Sequence, residues 1–154
     1  MRLALDSNLL LLLVVGITDR VRVRSHKRLN AYSVEAFDLL LEYARGAEEI
    51  VVTSHFLAET SNLIGEGQDD LSKSFRRTLA ALLNARNEVH LPGVEITEDT
   101  AYLRLGIADS GALALLSDDL VLMTNDLDLY LEASKRDEKV VNFTHLQQAR
   151  GLFD

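Results

Sequence analysis

Cysteine is absent from the chain. Disulfides, thiolate metal sites and cysteine nucleophiles are therefore excluded together. Histidine is scarce, at four residues, and His90 and His145 have no ligand-like spacing. A metal site here must be built mainly from carboxylates, which suit hard cations such as Mg²⁺ or Mn²⁺ rather than Zn²⁺. Proline is limited to Pro92, and no repeat, low-complexity tract or linker interrupts the sequence, so residues 1–154 are expected to form one domain. Positive charge is in deficit, with a net charge of −8. Nucleic-acid binders are usually basic on their contact face. A carboxylate centre, however, adds negative charge that a cation neutralises, so a phosphodiester substrate is not excluded. Long apolar runs are lacking too. Arg2 followed by the apolar residues 9–15 outlines a leader peptide, yet Asp6 and Asn8 interrupt it and no small-residue cleavage site follows. A membrane span needs roughly 20 apolar residues. The expectation is a soluble cytoplasmic protein with no membrane partner.

Hydrophobic residues make up 47% of the chain, enough for a core without staples. Short β-prone runs at 3–5, 50–53 (IVVT), 120–124 (LVLMT) and 140–143 read as strands, and 89–91 as a weaker one ended by Pro92 and Gly93. Between them lie helical patterns. Residues 9–16 are apolar all round and should be buried on most sides. Ser33 can cap a helix with Phe37, Leu40, Leu41 and Ala44 in one stripe and Gly46 as its stop. Ser54 can cap a helix through Leu63. Asp69 and Asp70 open another, with Phe75, Leu79, Leu82 and Leu83 inward and Arg76 and Arg77 outward. Further helices are expected at 97–105, 109–116 and 130–134, with Gly106 breaking the first two apart. Alternating strands and helices predict an α/β fold whose mostly parallel sheet of about five strands is covered on both faces. In such sheets the ligand site lies beyond the carboxyl ends of the strands.

Acids stand at those ends. Asp6 closes the first strand, between LAL and NLLLLLVV. Asp126 follows the strand 120–124, with Asp128 just beyond. Glu59 sits in the second turn of the helix after IVVT, and Asp109 at the start of a helix rich in small residues. Singly, each has an ordinary explanation, since acids suit helix starts and turns. Jointly they would repel one another, and their pKa values would rise unless a cation sat among them. A divalent cation relieves that repulsion, eases ionisation of a bound water for attack on phosphorus and stabilises charge on the phosphate oxygens. Asp6, Glu59, Asp109 and Asp126 are thus the candidate catalytic and metal-binding residues, with Asp128 as an optional fifth. Thr124, Asn125, Asn8 and Asn62 are candidate supporting groups at the same rim.

The segments LALDSNLLL, VTSHFLAETSNLI, GIADSGALALL and LMTNDLDLYL with VVNFTHL occur in this order along nearly the whole chain. In this it resembles PIN-domain ribonucleases, in particular the toxins of VapBC-type toxin–antitoxin pairs. The resemblance implies a PIN-like three-layer α/β/α sandwich with strand order 3-2-1-4-5. It implies one or two Mg²⁺ or Mn²⁺ ions and cleavage of single-stranded RNA. It places the family's acids on Asp6, Glu59, Asp109 and Asp126, and its polar residue before the last acid on Thr124. A cognate antitoxin and a homodimer are expected on the same ground. The alternatives are a PIN nuclease of RNA processing, or a catalytically silent PIN-like module for RNA binding or assembly.

Arg20, Arg22, Arg24, His26, Lys27 and Arg28 form a basic cluster in an acidic chain. Arg22, Arg24, Lys27 and Arg28 are candidate RNA contacts, set against a plain solvated loop. Tyr32, Phe37 and Phe75 occupy core-like positions and are not expected to stack on bases. A dehalogenase-type phosphotransferase would need a second Asp where Asn8 stands. A receiver domain would need an acidic pair at the first strand and a lysine beyond the last, and neither is evident.

Overall fold

Asp6 joins the two elements at the centre of the molecule. In the computed structural model, which describes residues 1–65, 67–137 and 139–152, strand β1 (Arg2–Leu5) leads through Asp6 directly into helix α1 (Ser7–Thr18). Residues 9–15 are each at most 1% exposed, so α1 meets protein on every side. An apolar surface all round a helix requires such burial. The remaining strands are β2 (Glu49–Thr53), β3 (Glu88–Val89), β4 (Leu120–Thr124) and β5 (Val141–Asn142). They form one five-stranded sheet in the order β3-β2-β1-β4-β5, with every pairing parallel. Helices flank it as the outer layers of an α/β/α sandwich. Both the fold class and the strand order match the expectation.

The helices are α2 (Val34–Gly46), α3 (Ser54–Ile64), α4 (Asp70–Ala81), α5 (Gly93–Ile96), α6 (Tyr102–Leu105), α7 (Ile107–Leu113), α8 (Leu127–Ser134) and α9 (Phe143–Ala149). Several depart from the sequence reading, mostly through side chains that cap or break backbone. Thr53 rather than Ser54 caps α3, accepting the Phe56 N–H at 3.0 Å. Gly46 is the last residue of α2 and not the stop beyond it. The single helix expected over 97–105 forms only at its far end, as α6. Residues 97–101 are turns in which Asp99 Oδ1 accepts the Ala101 N–H at 2.9 Å and diverts the backbone from helix, and α5 lies just before the expected span. The last strand is cut short where Asn142 caps α9, accepting N–H groups of Thr144 and His145 at 2.9 and 3.4 Å. Arg76 does not point outward. It donates to the carbonyls of Gly65 and Gly67 and fastens the connection between α3 and α4. The basic segment is not a plain loop either: Arg20–Arg24 form a 3-10 turn packed through the buried Val23.

Candidate active site

β1 and β4 are neighbours that end in register, with Leu5 opposite Met123. Asp6 and Asn125–Asp126 therefore emerge side by side at the carboxyl edge of the sheet. α3 starts directly from β2 and carries Glu59. α7 leads back to β4, and Asp109 lies in its first turn. An ion-pair network ties this region together. Arg104 of α6 donates to Glu132 of α8 at 3.0 Å, and Arg136 bridges Glu132 at 2.9 Å and Asp99 at 2.7 Å. Gly106 joins α6 to α7 with φ of +84° and ψ of 178°, a conformation essentially reserved for glycine. The result is a cavity of about 240 Å³ lined by Asp6, Glu59, Asp109 and Asp126, with Ser7, Asn8 and residues 105–108.

Asp6 is buried and firmly held. Its Oδ1 accepts the Leu9 N–H at 2.9 Å, capping α1. Its Oδ2 accepts the Thr124 hydroxyl at 2.5 Å and the Asn125 N–H at 2.9 Å. A carboxylate offers about four lone-pair sites, so three are used and one remains. Burial raises the Asp6 pKa, as does the charge of Asp126, while the three hydrogen bonds oppose the rise. Capping alone would account for a polar residue here, but serine or asparagine would cap without that electrostatic cost. Thr124 has a second role, accepting the Asp126 N–H at 2.9 Å. Asp126 in turn caps α8 through the Leu129 N–H at 2.9 Å. Glu59 accepts a hydrogen bond from the buried Ser7 hydroxyl.

Asp109 differs from the other three. Its carboxylate accepts no hydrogen bond among the described residues and is half-buried. Its pKa is pushed up to about 7, first by burial and then by the charges of Asp126, Asp6, Glu59 and, least, Asp128. The neighbouring Ser110 hydroxyl is buried without a partner.

No protein-family model, curated protein or solved structure matches this chain.

The cavity gathers the four principal acids and Asn8. Asn125 stands directly behind it, its side chain clamped by Tyr32, whose hydroxyl accepts its Nδ2–H at 2.7 Å, and by Thr144, whose hydroxyl donates to its Oδ1 at 2.8 Å. Asn62 and Asp128 are exposed, on α3 and α8, and stand outside the cavity. Among the described residues, no group of three or more histidine, aspartate or glutamate side chains forms a cluster that could hold a metal ion. What the acids share as placed is a cavity and a mutual field. Ser7, Tyr32 and Thr144 were not singled out as site residues from sequence. Ser7 could have been, since it separates Asp6 from Asn8. Tyr32 is buried as expected, yet its ring end belongs to the polar network. Nothing in the sequence marks Thr144.

The basic candidates scatter. Arg22 pairs with Asp19 at 3.5 Å, and Lys27 and Arg28 are exposed away from either cavity. Arg24 lines a separate pocket with Arg20 and Tyr32. Among the described residues no helix is long and apolar enough to cross a membrane.

Proposed function

We propose that the protein is a metal-dependent endoribonuclease that cleaves single-stranded RNA, using Mg²⁺ or Mn²⁺ held by Asp6, Glu59, Asp109 and Asp126. One observation carries this: four carboxylates from four separate elements face one cavity at the carboxyl edge of a parallel sheet, and the half-buried Asp109 has neither donor nor counter-charge among the described residues. The oxygen-only donor set is the chemistry that hard divalent cations take. When bound, such a cation would supply charge neutralisation and Lewis acidity toward a phosphate. The chain's own groups set the frame. Thr124 and Asn125 fix the Asp6 carboxylate, Ser7 restrains Glu59, and Gly106 lets the backbone turn at the cavity wall. A narrower assignment, to the toxin of a VapBC-type pair with a cognate antitoxin, rests on the ordered sequence resemblance alone, as does homodimerisation.

One observation favours a second function, a PIN-like module that binds RNA or assembles without cutting. The acids as placed do not form a metal cluster. Melting curves with and without Mn²⁺ separate the two. A cation bound at about a hundred times its Kd stabilises the fold by about 2.7 kcal/mol. The nuclease predicts a clear rise in melting temperature for native protein and none for Asp6→Asn or Asp109→Asn. A silent module predicts the same small or absent shift in all three.

A further inference from the structure

Arg20 and Arg24 line a cavity of about 520 Å³ with Tyr32, Ser33 and Glu35. Small-ligand sites span about 300–1,000 Å³, so this one is of nucleotide size. Arg20 is oriented by Asp38, to which its Nε and Nη2 donate at 2.8 and 2.5 Å, leaving Nη1 uncommitted. Arg22 is similarly engaged with Asp19, whereas Arg24 has no such partner among the described residues. Glu35 is exposed in the first turn of α2. The walls therefore offer cationic donors on one part and a carboxylate acceptor on another. A bare phosphate would meet Glu35 as well as the arginines. A nucleotide satisfies both, because its phosphate takes guanidinium donors and its base presents N–H groups to a carboxylate.

The cavity also adjoins the acids. Tyr32 forms part of its wall, the Asn125 side chain donates to the Tyr32 hydroxyl at 2.7 Å, and the Asn125 N–H donates to Asp6 at 2.9 Å. Tyr32 in the wall of one cavity and Asp6 in the wall of the other are thus linked through Asn125.

We propose that this second cavity holds one nucleotide of single-stranded RNA, with its phosphate on Arg20 and Arg24 and a base bearing an exocyclic amino group, such as cytosine, on Glu35. The ligand class rests on the ribonuclease reading, and the site gives that enzyme a base preference beside the cutting position. Unstacked bases are read in this way along their Watson–Crick edges.

The test is binding of labelled oligocytidine and oligouridine, followed by fluorescence anisotropy in EDTA at several salt concentrations. Native protein binds oligocytidine more tightly than oligouridine. Arg24→Ala weakens both and lowers the salt slope by about one charge. Glu35→Ala erases the preference for cytidine. Both positions are exposed, and unchanged melting temperatures confirm intact folding. A native protein without the preference, or either variant indistinguishable from native, overturns the proposal, as does inorganic phosphate competing as effectively as the oligonucleotide. Because binding is read without divalent cation, it is independent of cleavage. Native protein that binds as described but cuts nothing defeats the nuclease alone. Native protein that cuts RNA while Arg24→Ala binds normally defeats only the subsite.

Discussion

Asp109 is half-buried, faces three other carboxylates across one cavity and has no donor of its own among the described residues. Its electrostatic discomfort has a consequence for stability. A carboxyl that titrates at about 7 in the fold, against an unperturbed 3.8, holds its proton more tightly when folded than when unfolded. Its favourable contribution is present below about pH 4 and is lost as the pH rises through about 7. Asp109→Asn is therefore expected to melt a few degrees above native protein in EDTA at pH 8. The gap should open from about pH 4 upward and level off above about pH 7. Native protein equal to or more stable than the variant at pH 8 would contradict this reading. The sequence put Asp109 at a helix start, where an acid is unremarkable. The joint repulsion was expected from sequence, but that Asp109 bears it while half-buried and without a hydrogen-bond donor among the described residues was visible only in the fold.

Among the elements, α1 and α2 cross closely at Gly16. A Cβ built there would stand 2.1 Å from the Phe37 ring, which is itself 3% exposed. Glycine to alanine inside a helix ordinarily gains about 1 kcal/mol. Here overpacking should reverse the sign, so Gly16→Ala is expected to cost about 1–3 kcal/mol in chemical denaturation. A neutral or stabilising effect would mean that the ring moves freely aside. Element identity was legible where pattern was strong. The IVVT and LVLMT runs are strands, and the all-apolar segment after Asp6 is the buried helix. It was not legible where one polar side chain competes with the backbone. Asp99 confines the helix expected over 97–105 to its last four residues, and Asn142 turns the end of the last strand into α9. The exchange between Thr53 and Ser54 as cap is of the same kind, since either hydroxyl can cap and tertiary placement here overrides the modest preference for serine.

At the scale of the whole molecule, an acidic chain brings four of its 24 acidic residues to the place where a parallel sheet opens. The order β3-β2-β1-β4-β5 sets β1 beside both β2 and β4, and so draws Asp6, Glu59 and Asp126 to one edge. The parallel sheet and the acids at its carboxyl edge followed from the alternation of strands and helices, whereas the strand order was what the family resemblance implied. The basic segment did not follow, because whether an arginine lines a cavity, pairs with a neighbour or faces solvent depends on chain packing. Arg24, Arg22 and Lys27 take those three fates in turn. The claim that the four carboxylates form a cation-dependent cutting site is tested most directly by incubating single-stranded RNA with native protein, Asp6→Asn and Asp109→Asn. Each is assayed in Mg²⁺, Mn²⁺ and EDTA, and product is followed with time. Cleavage by native protein with either cation, its loss in EDTA and a fall of at least about a hundredfold in both variants is the predicted result, as expected for removal of a principal charge-stabilising group. Equal product from all three proteins, or cleavage undiminished in EDTA, would contradict it.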